Sequence, residues 1–436
     1  MSNKTINIVT LGCSKNVVDS EKLLAQLKAG GYTIHHDSEN LECDTVIINT
    51  CGFIADAKEE SIDTILRFIR SKESGKIKKL YVMGCLSERY MDALKSEIPE
   101  VSSYFGVNDI TAILAETGVK YRPELASSRI ISGPGHFAYL KVSEGCDRTC
   151  SFCAIPMIRG RYISRPVEEL VREAETLAAS GVKELILIAQ DLSYYGLDLH
   201  KKQKLPELIT ELLKIKDFEW IRLHYLYPAN FPEELIGLIR NNPRICRYID
   251  IPIQHISDKM LGIMKRSHNR KETIDILEKL RRGIPGAVIR TTLIAGHPGE
   301  TENEFDELAD FVRKFRFDRL GVFAYSHEEG TPSYSNLNDE IPEEVKQFRV
   351  SELMRIQQEI SSSLNENLVG KTLKVLIDRR EGDFYTGRTE YDSPEVDEEV
   401  LLPAEYKIKP GNFYQVLITH TSEFDLFGKP VDPRYL

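Results

Sequence analysis

The chain has 436 residues, with 57 Lys and Arg against 67 Asp and Glu, for a formal net charge of −10. This length excludes one ordinary domain and predicts two to four, at roughly 100–200 residues each. Apolar and charged shares of 42% and 28% exclude low complexity and gross disorder, and the acidic balance speaks against a broad grip on nucleic acid. No run of 18 apolar residues occurs and Met1–Thr10 carries no secretory pattern, so a cytoplasmic protein without membrane contact is expected.

The first 120 residues alternate strand and helix. Strands are predicted at 6–11, 45–49 and 80–83, and helices at 19–29, 56–71 and 87–96. Each of these strands runs into a cysteine: Cys13 after Gly12, Cys51 before Gly52, and Cys85 after Gly84. In a parallel α/β sheet the carboxyl ends of the strands form the ligand edge, so the three thiols are expected to meet there. Residues 120–135 read as a connector, marked by Pro123, Gly133, Pro134 and Gly135.

Six further strands are predicted at 137–142, 184–189, 220–225, 248–253, 287–294 and 319–325, with helices between them at 167–179, 206–214, 270–281 and 302–315. Six such units predict an open or partial barrel with its chemistry at the carboxyl ends of the strands. A long helix at 342–368 leads to short strands punctuated by Asp, Gly and Pro, as in a small antiparallel barrel.

Eight cysteines in a reducing compartment point to metal or catalysis rather than to disulfides. Cys146, Cys150 and Cys153 form C-x-x-x-C-x-x-C directly after the first strand of the expected barrel. Structural zinc wants four ligands, and no fourth Cys or His follows within a dozen residues. Three thiolates suit a [4Fe-4S] cluster whose fourth iron stays open. Cys43 and Cys246 read as inert.

The triple resembles the signature of the radical S-adenosylmethionine superfamily. Between a three-cysteine α/β domain and a small β-barrel, it makes nearly the whole chain similar to the methylthiotransferases. Leu11-Gly12-Cys13-Ser14-Lys15-Asn16, continued by Val17-Val18-Asp19-Ser20-Glu21, resembles the RimO branch, which modifies a small-subunit ribosomal protein. Branches acting on transfer RNA more often read Gln-Met-Asn after that cysteine.

The resemblance implies an N-terminal cluster domain at 1–120, a radical core with a partial (βα)6 barrel at 132–364 and a TRAM barrel at 366–436. It implies two [4Fe-4S] clusters, a radical one on Cys146, Cys150 and Cys153 and an auxiliary one on Cys13, Cys51 and Cys85. S-adenosylmethionine would bind the open iron and yield a 5′-deoxyadenosyl radical, the hard chemistry that a cofactor brings. A second molecule would donate the methyl group. Gln190 and Asp191, where relatives often read Gly-Gly-Glu, would take a polar role toward the cofactor, Gly296 would let a backbone approach the adenosyl group, and Phe152 would shield the cluster or line the adenine site. An electron donor and a sulfur source, neither identifiable from the sequence, are implied as further partners.

The loop 159–165 carries Arg159, Arg161 and Arg165 just beyond the triple, as a cofactor or acid grip or as a solvated basic loop. Charge bears on the substrate. Residues 371–436 hold nine basic and thirteen acidic side chains, and seven acids fall between Glu390 and Glu405 without a Lys or Arg. This segment is expected to attract a cationic protein and to repel phosphates. Together with the N-terminal signature this favours a ribosomal protein over RNA, without strong nucleic-acid binding, and the resemblance implies attachment of a methylthio group to the β-carbon of an aspartate in small-subunit ribosomal protein twelve. A transfer-RNA adenosine methylthiotransferase and a non-catalytic iron–sulfur sensor are the alternatives.

Overall fold

The computed structural model describes residues 4–38 and 42–435. The chain opens with a five-stranded parallel sheet in the order β2-β1-β3-β4-β5. Its strands are β1 (Thr5–Thr10), β2 (Thr33–His36), β3 (Cys43–Thr50), β4 (Ile77–Gly84) and β5 (Ser103–Tyr104). The centre of the sheet is apolar on both faces: Ile6 and Ile8 pack on one side, and Val46, Ile48, Leu80 and Val82 on the other. Helices α1 (Ser14–Ala29), α2 (Ala55–Glu73) and α3 (Cys85–Glu97) cover it. The edge strands β2 and β5 escape sequence patterning because Thr-Ile-His-His and Ser-Tyr are too short and too polar to register as buried runs. Helix α1 also begins five residues earlier than its apolar periodicity indicates, immediately after Cys13.

The connector from this domain is tied down. Arg129 is buried and pairs with Glu21 of α1 at 3.0 Å and with Glu173 of the next domain at 2.9 Å.

The central domain begins at β6 (Phe137–Lys141), followed by a two-stranded ribbon of β7 (Ser143–Glu144) and β8 (Ile163–Ser164). Five more strands follow: β9 (Glu184–Ile188), β10 (Trp220–Leu223), β11 (Tyr248–Asp250), β12 (Val288–Ala295) and β13 (Arg319–Ala324). They form two parallel three-stranded sheets, β6-β9-β10 and β11-β12-β13. A parallel bridge from Ile221 to Ile245 links β10 to the segment entering β11. The six strands thus follow one another in chain order around an arc, the partial barrel expected. Helices 167–179, 205–212, 270–283 and 302–315 bury their apolar stripes on its outside.

A 24-residue helix, Glu343–Glu366, leads to a closed barrel in the order β14-β15-β16-β18-β17. Its strands are β14 (Thr372–Glu381), β15 (Phe384–Arg388), β16 (Val400–Pro403), β17 (Phe413–Thr421) and β18 (Leu426–Pro430). Closure removes the exposed edges that so small a sheet would otherwise present. No helix among the described residues is long and apolar enough to cross a membrane.

Candidate active site between two cysteine triples

The sheet edge delivers the first triple. Gly12 and Gly84 precede Cys13 and Cys85 with φ of 88° and 101°. A Cβ on Gly12 would lie 2.9 Å from Cys51 Sγ, and one on Gly84 would lie 2.5 Å from Asn49 Oδ1. Both positions thus require glycine, for conformation and for space. Asn16 closes the edge from α1, with its amide donating to the Leu11 and Thr50 carbonyls. Burial pushes the Cys51 thiol up, and pushes Cys85 up to about 12 against the pull of a nearby guanidinium. Thiols held this way bind metal with release of a proton.

That guanidinium is Arg159, from the central domain. Its side chain is 1% exposed, and its Nη2 donates to Asn16 Oδ1 at 2.6 Å and to Cys85 Sγ at 3.6 Å. Its Nη1 serves Glu144 at 2.7 Å and Asp19 at 3.3 Å. Of the three arginines in this loop, only Arg161 faces solvent, against Asp147, while Arg165 pairs with Glu173 at 2.8 Å. The basic loop is therefore largely a clamp between domains.

The second triple sits where the ribbon leaves β6. Burial pushes Cys146 up to about 11 and Cys153 up to about 12. Nitrogen donors approach the sulfurs: the Arg148 backbone N–H reaches Cys146 at 3.4 Å, and Arg266 Nη1 reaches Cys150 at 3.4 Å. Among the described residues, no three His, Cys, Asp or Glu side chains converge closely enough to share one metal ion. A cubane asks for something wider, with each thiolate on its own iron.

One cavity of about 510 Å³ joins the two triples. Cys13 lines it on one side, and Cys146, Cys150 and Cys153 on the other. The size suits a nucleoside-containing ligand. Of the residues expected at a cofactor site, Phe152, Gln190 and Asp191 all line it. Asp191 is buried, pairs with Arg148 Nε at 2.7 Å, and leaves Oδ1 without a partner. Burial raises its pKa against the pull of Arg148. Gln254 Oε1, also on the cavity, is a second buried acceptor without a donor. Two orphaned acceptors on one cavity are what a cationic or amino-bearing ligand would satisfy.

Gly296 is placed off the lining. Its missing Cβ makes room for Lys346, whose Cγ a side chain would meet at 2.4 Å, and its N–H bonds Glu300. Close approach of another part of the chain therefore accounts for this glycine, and the expected approach to an adenosyl group has no geometric support. Cys246 is fully buried with its thiol pushed up to about 12, and Cys43 is buried at the start of β3, as inert thiols should be.

The acidic segment requires a correction. Asp392 and Glu398 meet Arg319 at 2.6 and 3.0 Å, and Asp397 accepts from Tyr248 at 2.7 Å and from Arg290 at 3.2 Å. Glu399 pairs with Arg379 at 2.8 Å, and the Glu390 carboxylate accepts from the Arg247 N–H at 3.2 Å. Only Glu395 and Glu405 of the seven are exposed. The run is mostly an internal dock between the barrel and the central strands, not a free anionic face. The arginines that neutralise it lie more than 70 residues away in the chain, apart from Arg379, so a local count of charge could not reveal them. The tip of this loop, Ser393 to Val396, reaches the cavity wall. Arg148 had a sequence signal, lying inside the cysteine loop; Arg266, Gln254 and the loop tip had none.

Family models match three separate stretches of the chain. The radical SAM superfamily profile matches residues 140–312, Uncharacterized protein family UPF0004 matches 5–106, and the TRAM domain matches 369–431. The ribosomal protein uS12 methylthiotransferase RimO of Phocaeicola vulgatus is 56% identical over 429 residues, covering 98% of this chain and 99% of that protein. The same-named proteins of Bacteroides fragilis and Porphyromonas gingivalis are 55% and 51% identical, covering 98–99% of this chain and all of theirs.

The chain belongs to the RimO family of methylthiotransferases.

Membership carries the class of a radical S-adenosylmethionine enzyme with a [4Fe-4S] cluster. Among solved structures, the radical S-adenosylmethionine methyltransferase TsrM of Kitasatospora setae is similar to this chain in fold, with a TM-score of 0.53 at 15% identity, covering 88% of this chain and 80% of its own.

Proposed function

We propose that the protein attaches a methylthio group to the β-carbon of an aspartate in ribosomal protein uS12, using two [4Fe-4S] clusters that face one cavity. The observation that carries the reading is the shared wall: Cys13 of one triple and all three members of the other line the same 510 Å³ space. A carbon bound there would lie within reach of both centres. Cys146, Cys150 and Cys153 would hold the radical cluster, and Cys13, Cys51 and Cys85 the auxiliary one. When bound, the clusters and S-adenosylmethionine supply hydrogen removal from an unactivated carbon and the methylthio group itself.

The rest is done by the chain. Asp191, held by Arg148, would offer its free Oδ1 to the cofactor's amino group, and Gln190 and Phe152 line the same cavity. Arg266 lies over the Tyr227 ring at 4.2 Å and beside Cys150, without a carboxylate partner among the described residues, where it would neutralise the cofactor's own carboxylate. The three-part division at 1–120, 132–364 and 366–436 assigns the auxiliary site, the radical site and the docked barrel to separate units. A target on the small ribosomal subunit places the enzyme in the cytoplasm.

Mass spectrometry of uS12 from cells with and without this gene tests the reading. A methylthio mass increment on one aspartate, present only with the gene, is the expected result; unmodified uS12 in both overturns it.

A further inference from the structure

Helix α1 opens on the cavity with a charge where helices disfavour one. Its first turn, Ser14-Lys15-Asn16, contains no acid, and Lys15 sets a cation at the positive end of the helix dipole. Lys15 is only 5% exposed. Its ammonium lies 3.3 Å from the centroid of the Tyr225 ring, and among the described residues it has no carboxylate within ion-pair distance. A ring face steadies such a cation but leaves its charge uncompensated, and buried charges are ordinarily paired.

Two further observations surround it. Ser14, on the cavity wall, has its Oγ buried without a hydrogen-bond partner. Tyr225, also on the wall, holds its ring against Lys15 from a backbone with φ of 62°, rare for a bulky residue, fixed by its N–H on Asp250 Oδ2 at 3.0 Å. Of the arginines on the lining, Arg148 is paired with Asp191 and Arg290 with Asp250 and Asp397, while Arg266 rests on the Pro252 carbonyl and the Cys150 sulfur beside the other triple. At the Cys13 end the Ser14 hydroxyl is on the lining, and the Lys15 ammonium lies off it, against the Tyr225 ring that is on it, beside helix N–H groups that lack intrahelical acceptors.

We propose that the first turn of α1 is the subsite for the carboxylate of the target side chain, with Lys15 as its counter-charge and Ser14 as a hydrogen-bond donor. This rests on the reading of the substrate as an aspartate of uS12 and says how that residue is chosen. An aspartate's β-carbon is bonded directly to its carboxylate carbon. Gripping the carboxylate beside Cys13 therefore fixes the reacting carbon to within one bond of the gripped group. Asparagine, of the same shape, would offer an amide in place of an anion and leave the ammonium unpaired.

The test is binding of two fluorescent peptides spanning the target of uS12, one with the natural aspartate and one with asparagine there, to anaerobically reconstituted full-length protein with S-adenosylmethionine. Wild type is expected to prefer the aspartate peptide about 10- to 100-fold, the range of one charge-assisted hydrogen bond. Lys15→Met should lower the ratio about 3- to 10-fold at unchanged iron content, leaving the share that the Ser14 hydroxyl supplies, and Lys15→Arg should keep the wild-type preference. Ser14→Ala, which removes only the hydroxyl, should lower the ratio about 3- to 10-fold. An unchanged ratio in Lys15→Met or Ser14→Ala overturns the subsite while leaving the substrate reading intact. A wild type that binds neither peptide overturns both.

Discussion

Arg159 of the central domain donates one hydrogen bond to Cys85 Sγ of the N-terminal domain, 3.6 Å away, while its other terminal nitrogen is held by Glu144 and Asp19. One buried guanidinium thus ties the central domain to a member of the first cysteine triple. Cys85 itself packs with Val107, Ala154 and Ile158, so the contact is apolar around a polar centre. The orientation of one triple toward the other depends on this joint.

Replacing Arg159 with Met should therefore do two things. It leaves Glu144 and Asp19 short of a partner in a buried network, at a cost of about 3–5 kcal/mol. It also removes a donor to Cys85, so iron should be lost from the auxiliary site before the radical site. Urea unfolding and iron per chain, measured on the same preparation, check both effects.

Wild-type protein reconstituted without oxygen should carry about eight irons, two cubanes of four. The Cys146→Ala, Cys150→Ala, Cys153→Ala triple variant should retain about half of that and lose reductive cleavage of S-adenosylmethionine. Loss of all the iron would sink the two-site arrangement, since the triples stand on separate domains.

Docking of the terminal barrel depends on Arg388, fully buried between Glu184 of β9 at 2.8 Å and Asp378 of β14 at 2.6 Å. Arg388→Met should destabilise the chain by about 3–5 kcal/mol, because two carboxylates are left in a dry joint with less compensation. Differential unfolding followed by the fluorescence of Trp220, which lies against Phe413 of the barrel at 4.7 Å between ring centroids, reads this joint directly.

The same joint should be acid-sensitive. Burial works to raise Asp378 and Glu184, but Arg388 together with His136 on Asp378, and with Arg222 on Glu184, outweighs it and holds both below their ordinary values of 3.8 and 4.5. A carboxyl depressed in the folded state stabilises fully above its ordinary value and loses that contribution as pH falls through the folded one. Asp378→Asn should thus cost clearly more at pH 7 than at pH 3. Urea midpoints of wild type and variant at the two values give the comparison, and an equal gap at both would contradict the ion pairing.

The sequence alone determined the chemistry-bearing parts, and it did so through local rules. Cysteine spacing, glycines that only a tight turn needs, and strands of continuous Ile, Val and Leu are properties of neighbouring residues, so the two triples, the α/β order and the partial barrel could be read before any fold existed. Gly12 and Gly84 are examples: their role before Cys13 and Cys85 follows from position, and the contact with Cys51 then shows why nothing larger fits. Electrostatics behaved differently. The acids from Glu390 to Glu405 look like a free anionic face in the sequence, yet Arg222, Arg290, Arg319 and Arg388 meet the loop that carries most of them in the folded chain. Likewise Gly296 proved to answer Lys346, and Lys15 gained its meaning only when α1 was set against Tyr225. Charge interactions act through space between residues far apart in the chain, so only the tertiary structure decided which charges are spent on holding the domains together and which remain for a substrate.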